Sequence, residues 1–344
     1  MVPPVRLRAE LGPWKLARTA FKAGAVVFPF VLTIVPAFAQ SAATFPARPL
    51  RMIIPAGPGG GVDTVARLVG AQLAIALGQP VTMDNRPGAG TMLASELTAK
   101  SPPDGHTLLM VTSSHAINAG IHRNLRYDPV EDFSAIGFAA TLPFVLVIHP
   151  SVPAKSVRDL IALARQHPEK LYFSSAGAGS GTHLAFELFA ALAKINVVHV
   201  PYKGGSTALV DLAGGHVQLM FSNIINCMPY VRNKRLIALG ISTPKTSPLF
   251  PGLPAVAESG LPGYEADTWY GVLAPARVPT DIVIRLNREI NAILRTPEVR
   301  EKLSTQGAQV ADGAVSTPEE FAALLRREIH KWGKVTSRLK LQLQ

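Results

Sequence analysis

The chain has a single cysteine, Cys227, in 344 residues. One cysteine makes an intramolecular disulfide impossible and rules out a cysteine-based metal site. Cys227 is expected as a small buried residue. Aromatic residues are few at 7%, and charged residues make up 17%. The formal net charge is +11, yet no run of five or more basic residues occurs. Scattered cations with few aromatics do not make a nucleic-acid surface. They make a solvated basic surface that steers small anions mildly. The nine histidines lack metal spacing, since neither H-E-x-x-H nor H-x-H occurs. His183 and Glu187 share a helical face, which is too little for a metal. After residue 39 no apolar stretch is long enough to span a bilayer. What the chain does have is 48% apolar residues, enough for a packed core without disulfides, and a length that allows two lobes.

Residues 1–39 read as a secretory signal peptide, with Arg6, Arg8, Lys15, Arg18 and Lys22 in a basic n-region. An apolar h-region runs from Ala23 to Val35, and Ala37-Phe38-Ala39 supplies the cleavage site before Gln40. The competing reading is an uncleaved anchor. The apolar run is short for a span and contains Pro29, which favours cleavage.

Beyond the signal, strand and helix patterns alternate. Leu50–Ile54 is a short apolar run, Val62–Leu77 a helix, Val81–Asn85 a strand, Thr91–Lys100 a helix and Thr107–Thr112 a strand. Turns at Gly78-Gln79-Pro80, Arg86-Pro87-Gly88 and Pro102-Pro103-Asp104-Gly105 separate them. After the apolar run Pro143–Ile148 the rhythm resumes. Ser156 caps a helix through Arg165. Strands are expected at Leu171–Phe173, Val197–Val200, Val217–Phe221 and Leu236–Ile241, with helices at Thr182–Lys194 and Ser206–Leu212. Residues 244–263 are irregular. Trp269–Ala274 is a strand, and Thr280–Leu294 and Pro297–Gln306 are helices. A last helix starts at the Thr317 cap with Pro318 first and Glu320 closing a capping box. Alternation of this kind predicts two α/β units with largely parallel sheets and a cleft between them.

Two glycine-rich turns each join a strand to a helix: Ala56-Gly57-Pro58-Gly59-Gly60-Gly61 and Ala176-Gly177-Ala178-Gly179-Ser180-Gly181. Each places backbone N–H groups at a helix N-terminus, where free donors and the helix dipole favour an anion. Neither turn is a dinucleotide fingerprint, a P-loop or a nucleophile elbow, because the spacing of the glycines, the lysine or the serine is wrong in each case. Asp63, in the first helical turn, either complements the dipole or organises waters or a ligand ammonium. Arg86 is either a carboxylate clamp or a solvated turn residue. Lys203 follows a strand and precedes a helix, so a cleft position fits it. Trp269 and Tyr270 either wall the pocket or sit in the core.

A set of short segments in a fixed order extends this reading. They include Ile53-Ile54-Pro55 with Gly60-Gly61-Val62-Asp63, Asp84-Asn85-Arg86-Pro87-Gly88-Ala89-Gly90, Pro103-Asp104-Gly105-His106-Thr107 and Tyr127-Asp128-Pro129. Ser174-Ser175-Ala176-Gly177, His199-Val200-Pro201-Tyr202-Lys203-Gly204 and Trp269-Tyr270-Gly271-Val272 follow. In order and spacing the chain resembles the Bug family, the extracytoplasmic solute receptors of tripartite tricarboxylate transporters. The resemblance covers essentially the whole mature chain. It implies an α/β two-lobed Venus-flytrap of the type II periplasmic binding protein class. Lobe 1 would join residues 41–143 to 269–344, lobe 2 would be 144–268, and crossing strands would lie near Phe144–Ile148 and Asp267–Ala274. By position, the first lobe would contact the ligand through Gly60, Gly61, Asp63, Thr112, Ser113 and Ser114. The second would use Ser175, Ala176, Gly177, Ser180, Thr182, His183, Ser222 and Asn223, with Asp267 by the return crossing. Ala56 stands where many relatives carry an aromatic residue, and Thr91 and Ala94 replace common glycines.

The expected function is therefore a periplasmic receptor, monomeric and without cofactor, metal or catalytic residue. It would bind a small carboxylate and deliver it to the membrane subunits of a tripartite tricarboxylate transporter. Two other readings stay open on sequence: an exported hydrolase-like enzyme using the same cleft, and a ligand sensor for a signalling partner.

Overall fold

The computed structural model describes residues 45–122, 124–247, 250–305, 307–310 and 316–338. The expected signal peptide lies outside them. The chain opens with β1 (Leu50–Ile54), α1 (Gly61–Leu77), β2 (Val81–Asn85), α2 (Met92–Ala99), β3 (Thr107–Thr112), α3 (Ser113–Ile121) and β4 (Phe133–Leu142). It continues through β5 (Phe144–Ile148), α4 (Val157–Gln166), β6 (Tyr172–Ser175), α5 (Gly181–Ala193), β7 (Val198–Pro201), α6 (Gly205–Ala213), β8 (Leu219–Asn223), α7 (Ile224–Arg232) and β9 (Ile237–Ile241). The chain then returns through β10 (Thr268–Pro275), α8 (Thr280–Arg295), α9 (Pro297–Thr305) and α10 (Pro318–Arg338).

Two five-stranded sheets result, ordered β2-β1-β3-β10-β4 and β7-β6-β8-β5-β9. They share one plan. β1, β2 and β3 are parallel, and β10 runs antiparallel between β3 and β4. β6, β7 and β8 are parallel, and β5 runs antiparallel between β8 and β9. Each antiparallel strand arrives from the other lobe. The chain crosses once at Pro143 and again at Asp267, and β5 and β10 themselves belong to the sheets.

The two crossings are tied side by side. The Phe144 N–H donates to Ser242 Oγ at 2.8 Å, the Ser242 N–H donates back to the Phe144 carbonyl at 2.9 Å, and the Ser242 hydroxyl donates to Asp267 Oδ1 at 2.5 Å.

Apolar spacing explains the helices that cover the sheets. Val62, Val65, Ala66, Val69, Leu73 and Leu77 form the buried stripe of α1. At α4, Ser156 Oγ accepts from the Asp159 N–H at 3.1 Å. The expected capping box closes α10: Thr317 N–H donates to Glu320 Oε2 at 2.9 Å and Glu320 N–H to Thr317 Oγ1 at 3.2 Å. Both faces of each sheet are packed, so every residue of β10 is buried. α10 lies so close to β10 at Gly271 that a Cβ there would sit 2.2 Å from Phe321 Cζ.

Candidate functional site

The sheets present the N-termini of α1, α2, α3, α5, α6 and α7 to one cavity of about 830 Å3. Among the described residues that line it there is no Asp or Glu, and Lys203 is its one Lys or Arg. Six helix N-termini and one ammonium make the electrostatics favour an anion.

Gly60, Gly61 and Val62 bring the start of α1 to the cavity wall. The first intrahelical bond is Thr64 N–H to Gly60 O at 3.0 Å, so the amides of Gly61 and Val62 have no carbonyl within the helix. No side chain caps this end. The fit at Gly61 is close: a Cβ would lie 3.0 Å from the Tyr270 hydroxyl and 3.3 Å from Asn223 Nδ2, so those side chains would have to give by a few tenths of an ångström.

Asp63 lies behind this turn. Its carboxylate accepts from the Gly59 N–H at 2.9 Å, Arg67 Nε at 2.8 Å and Asn85 Nδ2 at 2.8 Å. Burial works against its ionisation, but the bonds from Arg67, Asn85 and Gly59 prevail and hold the pKa below the ordinary value. Its role is to fix the glycine turn from beneath.

The second glycine turn is largely self-satisfied. Ala176 N–H donates to Thr182 Oγ1 at 2.9 Å, Gly177 N–H to Ser175 Oγ at 3.1 Å and Gly179 N–H to His183 Nδ1 at 3.2 Å. Ser180 N–H donates to Gly177 O at 3.1 Å and His183 N–H to Ser180 Oγ at 3.3 Å. Gly181 N–H reaches across the cleft to Ser114 Oγ at 3.1 Å. The expectation of a row of bare amides therefore holds for the first turn and not for the second.

Two stacked histidines support that turn. The rings of His183 and His199 lie 3.9 Å apart. His183 accepts at Nδ1, so its proton sits on Nε2, facing Glu187 Oε1 at 3.5 Å. His199 Nε2 bonds Ser175 Oγ at 2.7 Å. Burial, with His183 beside it, pulls the His199 pKa down to about 3.

Of the expected contacts, Gly60, Gly61, Thr112, Ser114, Ala176, Gly177, Ser180, Thr182, Ser222 and Asn223 line the cavity. Asp63, Ser113, Ser175, His183 and Asp267 stand behind its wall. Ser113 Oγ bonds Thr268 Oγ1 at 2.9 Å, and Asp267 belongs to the crossing. Arg86 turns to Asp84 Oδ1 at 2.8 Å and clamps nothing in the cavity. Tyr270 faces the cavity, while Trp269, on the opposite face of the strand, bonds Glu328 Oε2 at 3.2 Å.

Lys203 lines the cavity as its position between strand and helix suggests, and further walls lie beyond the expected set: the loop Gly88–Met92, Tyr202, Gly204, Gly205, Asn226, Phe144 and Thr268. The Gly204-Gly205 pair before α6 carried the signal of a third glycine turn. Asn226 carried none. The Oδ1 atoms of Asn223 and Asn226 are buried without a partner. Among the described residues no group of three or more His, Cys, Asp or Glu side chains is arranged for a metal. Among them, too, no helix is long and apolar enough to cross a membrane.

Comparison with known proteins places this geometry. A family model described as the tripartite tricarboxylate transporter family receptor matches residues 65–341. The protein BugT of Bordetella pertussis is 36% identical over 313 residues, covering 90% of this chain and 95% of BugT. The R. palustris protein Rpa4515, solved with adipate, matches with a TM-score of 0.82 and 35% identity, over 86% of this chain and 98% of its own. MatC from Rhodopseudomonas palustris, solved with bound malate, matches with a TM-score of 0.81 and 33% identity, over 85% and 99% of the two chains.

Proposed function

The chain belongs to the tripartite tricarboxylate transporter receptor family, and we propose that it is a periplasmic receptor whose cleft closes on a small organic acid. It then presents the acid to the membrane subunits of such a transporter. The carrying observation is the cavity itself: six helix N-termini, Lys203 and, among the described residues, no carboxylate around one space between two sheets. Adipate in Rpa4515 and malate in MatC support a carboxylate.

In this reading residues 41–143 and 269–344 form one lobe, 144–268 the other, and the chain acts as a monomer after cleavage following Ala39. The ligand anion meets the free amides of α1 in the first lobe. The second lobe supplies Lys203 and the uncapped start of α6, where Thr207 Oγ1 and the first intrahelical amide, Ala208 N–H, both bond Gly204 O. Closure brings these groups to one ligand, so binding favours the closed state. No bond of the ligand is made or broken. Asn223, Asn226, Tyr202 and Tyr270 read what is attached to the carboxylate.

A thermal-shift screen of residues 40–344 against mono-, di- and tricarboxylates, amino acids and aromatic acids tests this. A ligand at 100 times its Kd stabilises the fold by about 2.7 kcal/mol. A selective shift, with the acid recovered unchanged, is the expected result. No shift across the panel, or conversion of a bound compound, would overturn the reading.

A further inference from the structure

A second depression, of about 940 Å3, runs along the far side of α7. Its floor is apolar, with Ile225, Met228, Phe250 and Leu253, and its rim carries Arg232 and Lys234. The opposite wall comes from the other lobe, at Ser304 and Thr305, which end α9, and Gly307 just beyond it. The groove is thus built by both lobes.

α7 has two working faces. Helical geometry turns about 100° per residue, so Asn223 and Asn226 share one side while Ile225, Met228 and Arg232 share the other. The first side lines the ligand cavity and the second lines the groove. Ile225 packs against the cores of both lobes. At Gly307 the walls meet closely enough that a Cβ would lie 2.4 Å from Ile224 Cγ2 and 2.8 Å from Phe250 Cζ. Because the two walls belong to different lobes, the shape of the groove is coupled to the way the lobes are set against each other.

The charge at the rim points to a partner. One cation in the last turn of α7 suits the negative end of the helix. Lys234 and Arg235 lie beyond that end. Arg232, Lys234 and Arg235 are all exposed, and no Asp or Glu lines the groove among the described residues. We propose that this groove is the docking surface for an acidic, apolar-tipped extracytoplasmic segment of a transporter membrane subunit. It is offered in complete form only by the closed receptor. The proposal rests on the receptor reading above, and it supplies what that reading lacks, a way for the partner to sense occupancy.

The test does not depend on knowing the acid. A Cβ at Gly61 would lie 3.5 Å from Asn223 Cβ, within the range of about 3.5–4.5 Å for a disulfide. Gly61→Cys with Asn223→Cys should therefore lock the lobes shut across the cleft without ligand, with thiol titration verifying the bond. Binding is then read on vesicles carrying the membrane subunits of a tripartite tricarboxylate transporter and on empty vesicles. The oxidised protein should bind the loaded vesicles about tenfold more tightly than its reduced form. Adding Arg232→Glu and Lys234→Glu should abolish that gain while leaving the melting temperature unchanged. The same charge reversals should weaken docking of the chain without the cross-link. Equal docking with and without them, equal binding to empty vesicles, or no gain on locking would overturn the proposal. If the locked protein docks while no acid shifts the melting curve, the carboxylate reading fails and the docking surface stands.

Discussion

Ser114 and Gly181, 67 residues apart in sequence, meet across the cleft: the Gly181 amide donates to Ser114 Oγ at 3.1 Å. The bond joins α3 of one lobe to α5 of the other, so it favours the arrangement in which the cleft is shut. Ser114→Ala leaves a buried donor unpaired there, at a cost of about 1–2 kcal/mol. Affinity for a bound acid should fall roughly 5- to 30-fold, since each 1.4 kcal/mol is tenfold. Without ligand the melting temperature should not change. Titration calorimetry checks this, and an unchanged affinity would contradict it.

The contact between Gly61 and Asn223 makes a second prediction. Gly61→Ala brings a methyl to within 3.3 Å of Asn223 Nδ2 on the other lobe and so opposes closure. Affinity should drop by about tenfold or more, and the ligand-induced compaction seen by X-ray scattering should diminish. Asn223→Ala removes the opposing amide and should restore part of the compaction in the double variant.

Asp267 gives the crossing a pH dependence. Burial lifts its carboxyl from 3.8 to about 6, against the lowering effect of the Ser242 hydrogen bond and with Glu265 adding to the rise. A carboxyl raised in the folded state favours folding while it is protonated, and that contribution is lost as pH rises through the folded value. Asp267→Asn should therefore gain stability relative to the parent between about pH 4 and pH 7. Parallel melting-temperature profiles for the two proteins would sink the assignment.

The packing of α10 on β10 predicts a core effect. Gly271→Ala places a methyl 2.2 Å from Phe321 Cζ, and overpacking of this kind costs about 1–3 kcal/mol. Phe321→Ala alone costs about 3–5 kcal/mol. Combined, the two should cost less than their sum, because the smaller side chain admits the methyl. Chemical denaturation measures all three.

Much of the architecture is legible where local chemistry decides it. Thr107–Thr112 and Val81–Asn85 are strands as the alternation of elements between turn signals predicts, and the Thr317–Glu320 capping box is made. α3 is harder to see, because Ser113–Ile121 carries no Asp, Glu, Lys or Arg and is buried on nearly all sides, so no amphipathic period marks it. α7 is hidden by Pro229 inside it. β4 is likewise seen only once β10 is in place to pair with it.

The site divides in the same way. Glycine turns before helices are visible as spacing, which brings Gly60 and Gly61 to the cavity. Whether a turn keeps its amides free depends on which side chains fold back onto it, most of them a few residues away and one from the other lobe. Ser114 and His183 occupy two amides of the second turn, and no local pattern foretells that. Nor does sequence separate a residue on the wall from one behind it, as Thr268 and Ser113 are separated here.

The most direct test of the account compares an acid with its neutral isostere. Titrating residues 40–344 with adipate, malate and the best acid of the thermal-shift screen, and with the corresponding amides, reads the charge preference of the cavity itself. Saturable binding of one acid is expected, weakened by salt and by Lys203→Met, with the amide bound at least about a hundredfold more weakly. Equal binding of acid and amide, or no binding of any acid, would contradict the claim that this cleft captures an organic anion.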